Sequence, residues 1–157
     1  MIQEKIVKII LDEAFYIHKT IGPGMLETVY KNCLAYRLRR SGLYIETESL
    51  YQWFEEVRME CGYRADLIAE NSVVVEIKSI DTIGPLQLAQ VLTYMKFLNI
   101  RYGLILNFNT VLMKDGIKRV SNGFRWSPVR IKKPHTSKAL NDIFYFLCYL
   151  FLGLSSK

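Results

Sequence analysis

The chain has 157 residues, of which 50% are hydrophobic and 23% charged, room for one domain with one continuous core and a composition that excludes wholesale disorder. Its 21 Lys and Arg against 15 Asp and Glu leave a net +6, a surplus that fits a polyanionic partner through counterion release but that many solvated surfaces share. Cys33, Cys61 and Cys148 lie far apart with no metal-ligand spacing; an odd count without a visible secretory signal sets the expectation of reduced thiols in a cytoplasmic protein.

Residues 2–20 read as an amphipathic helix, with Ile6, Ile9, Ile10 and Ile17 near one stripe and Lys5, Lys8, Asp12 and Lys19 away from it. His18, near its end, reads as a dipole-stabilised or hydrogen-bonded surface histidine. Gly22-Pro23-Gly24 breaks the helix. A second helix is predicted over 25–41, with Leu26, Tyr30, Cys33, Leu34 and Leu38 as its buried candidates and Gly42 past its end. From Tyr44 the period changes, and strand-type patterns fall around 45–54, 63–69 and 72–79. The charged stretch 55–62 reads as a turn region with a short strand at 57–59. Pro85 opens a third helix over 84–98. Residues 102–108 follow as a buried strand and 116–120 as a short edge strand. This order predicts an α/β (α+β) domain over 1–121, with a mixed sheet flanked by helices.

Residues 122–138 form a basic connector carrying Arg125, Arg130, Lys132 and Lys133. Beyond it, 139–157 holds the run IFYFLCYLFLGL from Ile143 to Leu154. That run falls short of the ~20 apolar residues needed to span a bilayer. It also lacks the polar face of an interfacial membrane helix. It is read as an extra C-terminal helix covering an apolar face of the domain, of a second copy or of a protein partner.

The chemistry-bearing residues are Asp66, Glu76 and Lys78. Side chains on a strand alternate, so Glu76 and Lys78 project from one side and Val75 and Ile77 from the other. A three-residue hairpin loop, Glu70-Asn71-Ser72, would set Asp66 opposite Glu76; a two-residue loop would shift the pairing and break the cluster. Two carboxylates close together suit a hard cation such as Mg²⁺. Lys78 could hold an attacking water or stabilise developing negative charge. Taken alone, the acid-x-Lys tripeptide is more often a cross-strand salt bridge on a solvated face. On the third helix Gln87, Gln90 and Tyr94 recur at helical spacing, with Leu88, Val91 or Leu92, Met95 and Leu98 on the buried side. Such a Gln/Tyr face could contact phosphate or bases, or be the polar side of an ordinary helix. Glu27, in the first turn of the second helix, is explained by the helix dipole alone.

The stretch Gly24-Met25-Leu26-Glu27-Thr28-Val29-Tyr30, with its lead-in from Ile17 to Pro23, resembles the GxxExxY protein family. Tyr63-Arg64-Ala65-Asp66, Val75-Glu76-Ile77-Lys78, Gln90-x-x-x-Tyr94 and Asn107-Phe108 recur in the same order, so the resemblance covers about residues 1–121. That family is placed in the PD-(D/E)XK nuclease superfamily, and the Gln90/Tyr94 pair is similar to that of RecB-type nucleases. The resemblance implies a restriction-endonuclease-like core with its acids at one end. It implies Asp66 and Glu76 as ligands of Mg²⁺ or Mn²⁺, Glu27 as the helix-borne acid completing the metal site, Lys78 as catalytic lysine, and Gln90 and Tyr94 as a supporting pair. The activity implied is hydrolysis of phosphodiester bonds in DNA by a metal-activated water. The alternative is a non-catalytic module that binds nucleic acid or protein on the same fold.

Overall fold

The computed structural model describes residues 2–47, 65–121 and 123, together with the backbone of 52–54 and 57–59. The expected C-terminal helix, and the connector apart from Gly123, lie outside the described residues. In chain order the elements are helix α1 (Ile2–Ile21), helix α2 (Glu27–Arg40), strands β1 (Ile45–Thr47), β2 (Gln52–Phe54), β3 (Val57–Met59), β4 (Leu67–Ala69) and β5 (Val73–Lys78), helix α3 (Pro85–Phe97), strand β6 (Tyr102–Asn107), a 3-10 turn (Met113–Gly116) and strand β7 (Ile117–Ser121). The long strand expected near 45–54 is thus two pieces. Only β1 joins the main sheet, while β2 and β3 form an antiparallel hairpin of their own, paired Gln52 to Met59.

The five-stranded sheet runs β1-β4-β5-β6-β7. Every neighbouring pair is antiparallel except β5 and β6, which are parallel and joined through α3. A parallel pair requires such a crossover, which lays α3 on one face of the sheet. One face of β5 and β6 sends Val73, Val75, Ile77, Leu104 and Leu106 into a core shared with α1 and α2. The other sends Val74 and Ile105 against Val91, Tyr94 and Met95 of α3. Because the sheet is covered on both sides, its middle strands are apolar at nearly every position rather than alternating. The polar exceptions, Glu76, Lys78 and Asn107, all fall at the carboxyl ends of β5 and β6.

Helix α1 buries Ile6, Ile10, Leu11, Ala14 and Ile17, the stripe that its period dictates, with Ile9 only partly buried. Helix α2 buries Tyr30, Leu34, Ala35 and Leu38. Glu13 of α1 ties the two helices by accepting from Arg37 Nε and from Ser41 Oγ. Leu26 is not in the core as the helical pattern led us to expect. It is the residue capping α2, in extended conformation, and its side chain is 76% exposed. On α3 the expected burial of Leu88 also fails, and the buried positions are Val91, Tyr94 and Met95. Helix α3 lies close on β6 because position 103 is glycine: a Cβ there would sit 2.6 Å from Met95 Sδ and 2.9 Å from Val91 Cγ1.

Candidate active site

The hairpin between β4 and β5 sets the register of the site. Glu70 and Asn71 take positive φ of 51° and 47°, and the Ser72 amide donates to Ala69 O at 3.0 Å. Three residues therefore turn the chain, and Leu67, Ile68 and Ala69 pair with Val75, Val74 and Val73. Continued by one residue, that register brings Asp66 level with Glu76, the alignment expected for a three-residue turn. Asp66 Oδ2 accepts from the Ile77 amide at 2.8 Å. Glu76 is 2% exposed, and its Oε1 accepts from Lys78 Nζ at 2.7 Å. Its other oxygen, Oε2, is buried with no hydrogen-bond partner.

An unpartnered buried carboxylate oxygen is costly unless something positive or proton-bearing reaches it. The titration behaviour reflects that cost. Burial pushes the Glu76 carboxyl up to about 7, aided by the Asp66 charge and opposed by the bond to Lys78. Burial also raises Asp66, against the pull of the Ile77 amide, Lys31 and Lys78. Burial alone would depress the Lys78 ammonium, but its bond to Glu76 and the charges of Glu76, Glu27 and Asp66 outweigh this and raise it.

Glu27 reaches the same end of the sheet from α2. Its Oε1 accepts from the Ser79 amide at 3.0 Å, one residue past β5. Ser79 Oγ in turn donates to Met25 O at 2.7 Å. The Gly-Pro-Gly segment is held from within: Tyr30 Oη donates to Gly22 O at 2.7 Å and accepts from the Met25 amide at 3.1 Å. Gly22 and Gly24 have φ of 79° and 97°, the left-handed region that glycine tolerates at no steric cost. The Tyr30 ring is wholly buried and stacks on Phe108, with centroids 4.3 Å apart. The spacing Gly24, Glu27, Tyr30 thus describes a strap whose last residue reaches back to fix the loop that delivers the middle one.

The α3 residues behave differently from one another. Gln90 Nε2 donates to Tyr94 Oη at 2.7 Å, so this pair is brought together on the helix face turned to the sheet. Tyr94 is 1% exposed within the core on that face, rather than on a polar face of the helix turned away from the core. Gln87 caps its own helix, its Oε1 accepting from the Gly84 amide at 2.9 Å. His18 is not a surface residue. It is 9% exposed, and its Nε2 lies 2.8 Å from Thr110 O, which fixes the end of α1 to the loop after β6.

Two residues whose placement was not legible in the sequence complete the site. Asn107, 2% exposed, donates through Nδ2 to Ile80 O at 2.7 Å and accepts through Oδ1 from the amides of Ile80 and Asn109, at 3.1 and 3.2 Å. It clamps the chain just after Lys78 against the end of β6, where the Phe108 amide also donates to Lys78 O. Lys31, one helical turn beyond Glu27, brings its Nζ to 3.8 Å from Asp66 Oδ1, with its side chain 15% exposed. Its i+4 spacing from Glu27 was the one available signal.

Among the described residues no three His, Cys, Asp or Glu side chains converge as a closed metal cage. A hard cation does not require one, since Mg²⁺ keeps several waters and is commonly held by one or two carboxylates. The unpartnered Glu76 Oε2 beside Asp66 fits such an ion. Also among the described residues, no helix is long and apolar enough to cross a membrane. No curated protein and no solved structure matches the chain. The family model described as the PD-(D/E)XK nuclease superfamily matches residues 4–120, from the first turn of α1 into β7. On that match, and with this mixed sheet and its flanking helices, the chain belongs to the PD-(D/E)XK nuclease superfamily.

Proposed function

We propose that the protein is a Mg²⁺- or Mn²⁺-dependent deoxyribonuclease of the GxxExxY type, hydrolysing phosphodiester bonds at the carboxyl end of β5. The observation that carries this reading is Glu76. A carboxylate so deeply buried, with one oxygen on Lys78 and the other unpartnered, is a poor structural ion pair and a good half-built cation site. When bound, the ion supplies positive charge to a phosphoryl oxygen and eases deprotonation of the attacking water.

The chain's own residues do the rest. Asp66 is oriented by the Ile77 amide on Oδ2 and would help hold the ion. Glu76 contributes Oε2 once it has lost its proton. Lys78 Nζ donates to the attacking water or to the phosphate as negative charge grows there, a role that suits a compact ammonium. Glu27, fixed on the Ser79 amide, adds negative charge beside the pair and would strengthen their hold on the ion. Gln90 and Tyr94 support from α3: their mutual bond orients the Gln90 amide next to the sheet. Gln87 is assigned to the cap of α3 rather than to nucleic acid.

The test is cleavage of linear, circular and single-stranded DNA with Mg²⁺ or Mn²⁺, using wild type, Asp66→Ala and Lys78→Ala. Loss of either group is expected to lower the rate by roughly 100-fold or more, with an unchanged circular dichroism spectrum. A wild type that cleaves none of these substrates, or variants that cleave as fast as wild type, would remove the assignment.

A further inference from the structure

We propose that Leu26 is an apolar wedge at the mouth of the site, packing on the face of an unstacked base beside the scissile phosphate, so that the protein prefers single-stranded or unpaired DNA; this rests on the nuclease reading above for its substrate. Leu26 is 76% exposed and its neighbour Met25 45%. Apolar side chains scattered singly over a surface are ordinary, but these two are adjacent and lie against the end of β5. Met25 O accepts from Ser79 Oγ, and the Glu27 carboxylate accepts from the Ser79 amide. Leu26 is thus bracketed by two contacts to the residue that directly follows Lys78.

The residue type is not explained by the fold. Leu26 caps α2 in extended conformation, with φ −66° and ψ 147°, and makes no side-chain cap hydrogen bond. Ser, Thr, Asp or Asn would offer an oxygen to the free amides of the helix, and leucine offers none. Its exposure shows that it does not serve the core either. Yet the segment that carries it is firmly held. Tyr30 Oη bridges Gly22 O and the Met25 amide, and the Tyr30 ring is stacked on Phe108. A side chain that costs the helix a cap is therefore presented to solvent on a fixed backbone, beside Glu27.

The neighbouring chemistry says what it would meet. A phosphate drawn to the carboxylates and Lys78 brings its own sugar and base with it. In a stacked duplex the base faces are hidden against one another, and an apolar side chain beside the backbone meets phosphate and water. An unstacked base offers a flat apolar face, and burying it against leucine removes both from water. On a duplex the wedge must first part a base step, an unstacking cost that a single strand does not carry.

The experiment is fluorescence anisotropy of a labelled single strand and of the duplex of the same sequence, titrated with the full chain in Mg²⁺. Both carry phosphorothioate linkages, which keep the backbone charge and resist hydrolysis. Wild type is expected to bind the single strand more tightly. Leu26→Ala should weaken single-strand binding about tenfold, through the lost apolar contact, and duplex binding far less. Leu26→Met should keep most of the preference. Ile2→Ala, at a residue 75% exposed at the other end of α1, should change neither affinity. A Leu26→Ala protein with the wild-type preference overturns the proposal, as does one that loses affinity equally for both forms. A wild type that binds neither form, or favours the duplex, overturns it too. A preference that falls in Leu26→Ala and is kept in Leu26→Met, in a protein that fails to cleave ordinary DNA, would leave Leu26 as a base contact and sink only the nuclease. Metal-dependent cleavage with a preference indifferent to Leu26 would sink only the wedge.

Discussion

At the scale of single residues, Glu76 is where the sequence pattern and the energetics meet. Its carboxyl has been moved from its ordinary 4.5 up to about 7 by burial. In the metal-free protein the unfolded chain releases this proton near pH 4.5 while the native state keeps it to near 7. The native state then binds more protons than the unfolded one across that window, so stability is fully present below 4.5 and is lost as pH rises through 7. At about 1.4 kcal/mol per unit, the loss is on the order of 3 kcal/mol. Glu76→Gln mimics the protonated form. In chelator, its urea denaturation should match wild type near pH 4.5 and exceed it increasingly up to pH 7.5. Parallel profiles for the two proteins would mean that Glu76 does not titrate in this window.

At the scale of elements, the strap between α1 and α2 gives the GxxExxY spacing a mechanical meaning. Tyr30→Phe keeps the stacked ring on Phe108 but removes the hydroxyl that joins Gly22 O to the Met25 amide. The expected cost is about 1–2 kcal/mol in thermal or urea denaturation. Cleavage should fall further than stability alone accounts for, because Glu27 and Lys31 both hang from this segment; a variant that is destabilised but cleaves at the wild-type rate would show that the strap does not position the site.

Much of this scale was legible beforehand. The strands on either side of 70–72 were legible, while the choice between a two- and a three-residue turn stayed open; the left-handed Glu70 and Asn71 make it three residues, which brings Asp66 to the Ile77 amide. What was not legible has physical reasons. Helix α3 carries apolar residues on more than one side, with Leu86 76% exposed and Leu88 37% exposed, so periodicity could not choose the buried stripe and Tyr94 was assigned to the wrong environment. Leu26 fits the helical period of α2, but an extended cap residue does not continue that period. Lys31 and Asn107 acquire their roles only from partners across the fold, Asp66 and Ile80, which local spacing does not reveal.

At the scale of the whole molecule, the proposed cation would couple the site to the stability of the fold. An ion that binds the native state and not the unfolded chain stabilises by RT ln(1 + [L]/Kd), about 2.7 kcal/mol at a hundredfold excess over Kd. For a chain of 157 residues, that is a rise of roughly 5–10 °C in Tm. Mg²⁺ should therefore raise Tm at pH 8, where Glu76 has released its proton. The rise should shrink towards pH 6, where the ion must displace that proton from a carboxyl whose burial holds it to about 7. Asp66→Asn should lose most of the effect at either pH, since it removes the charge of the proposed second ligand while still accepting from the Ile77 amide. Matching the ionic strength with KCl separates site binding from general screening of the +6 surface charge. A rise that KCl reproduces, or that survives in Asp66→Asn, would place the ion elsewhere on the protein. A rise specific to Mg²⁺, dependent on Asp66 and growing with pH through 7 would tie the carboxyl end of β5 to the cation by a measurement that does not depend on finding the right DNA.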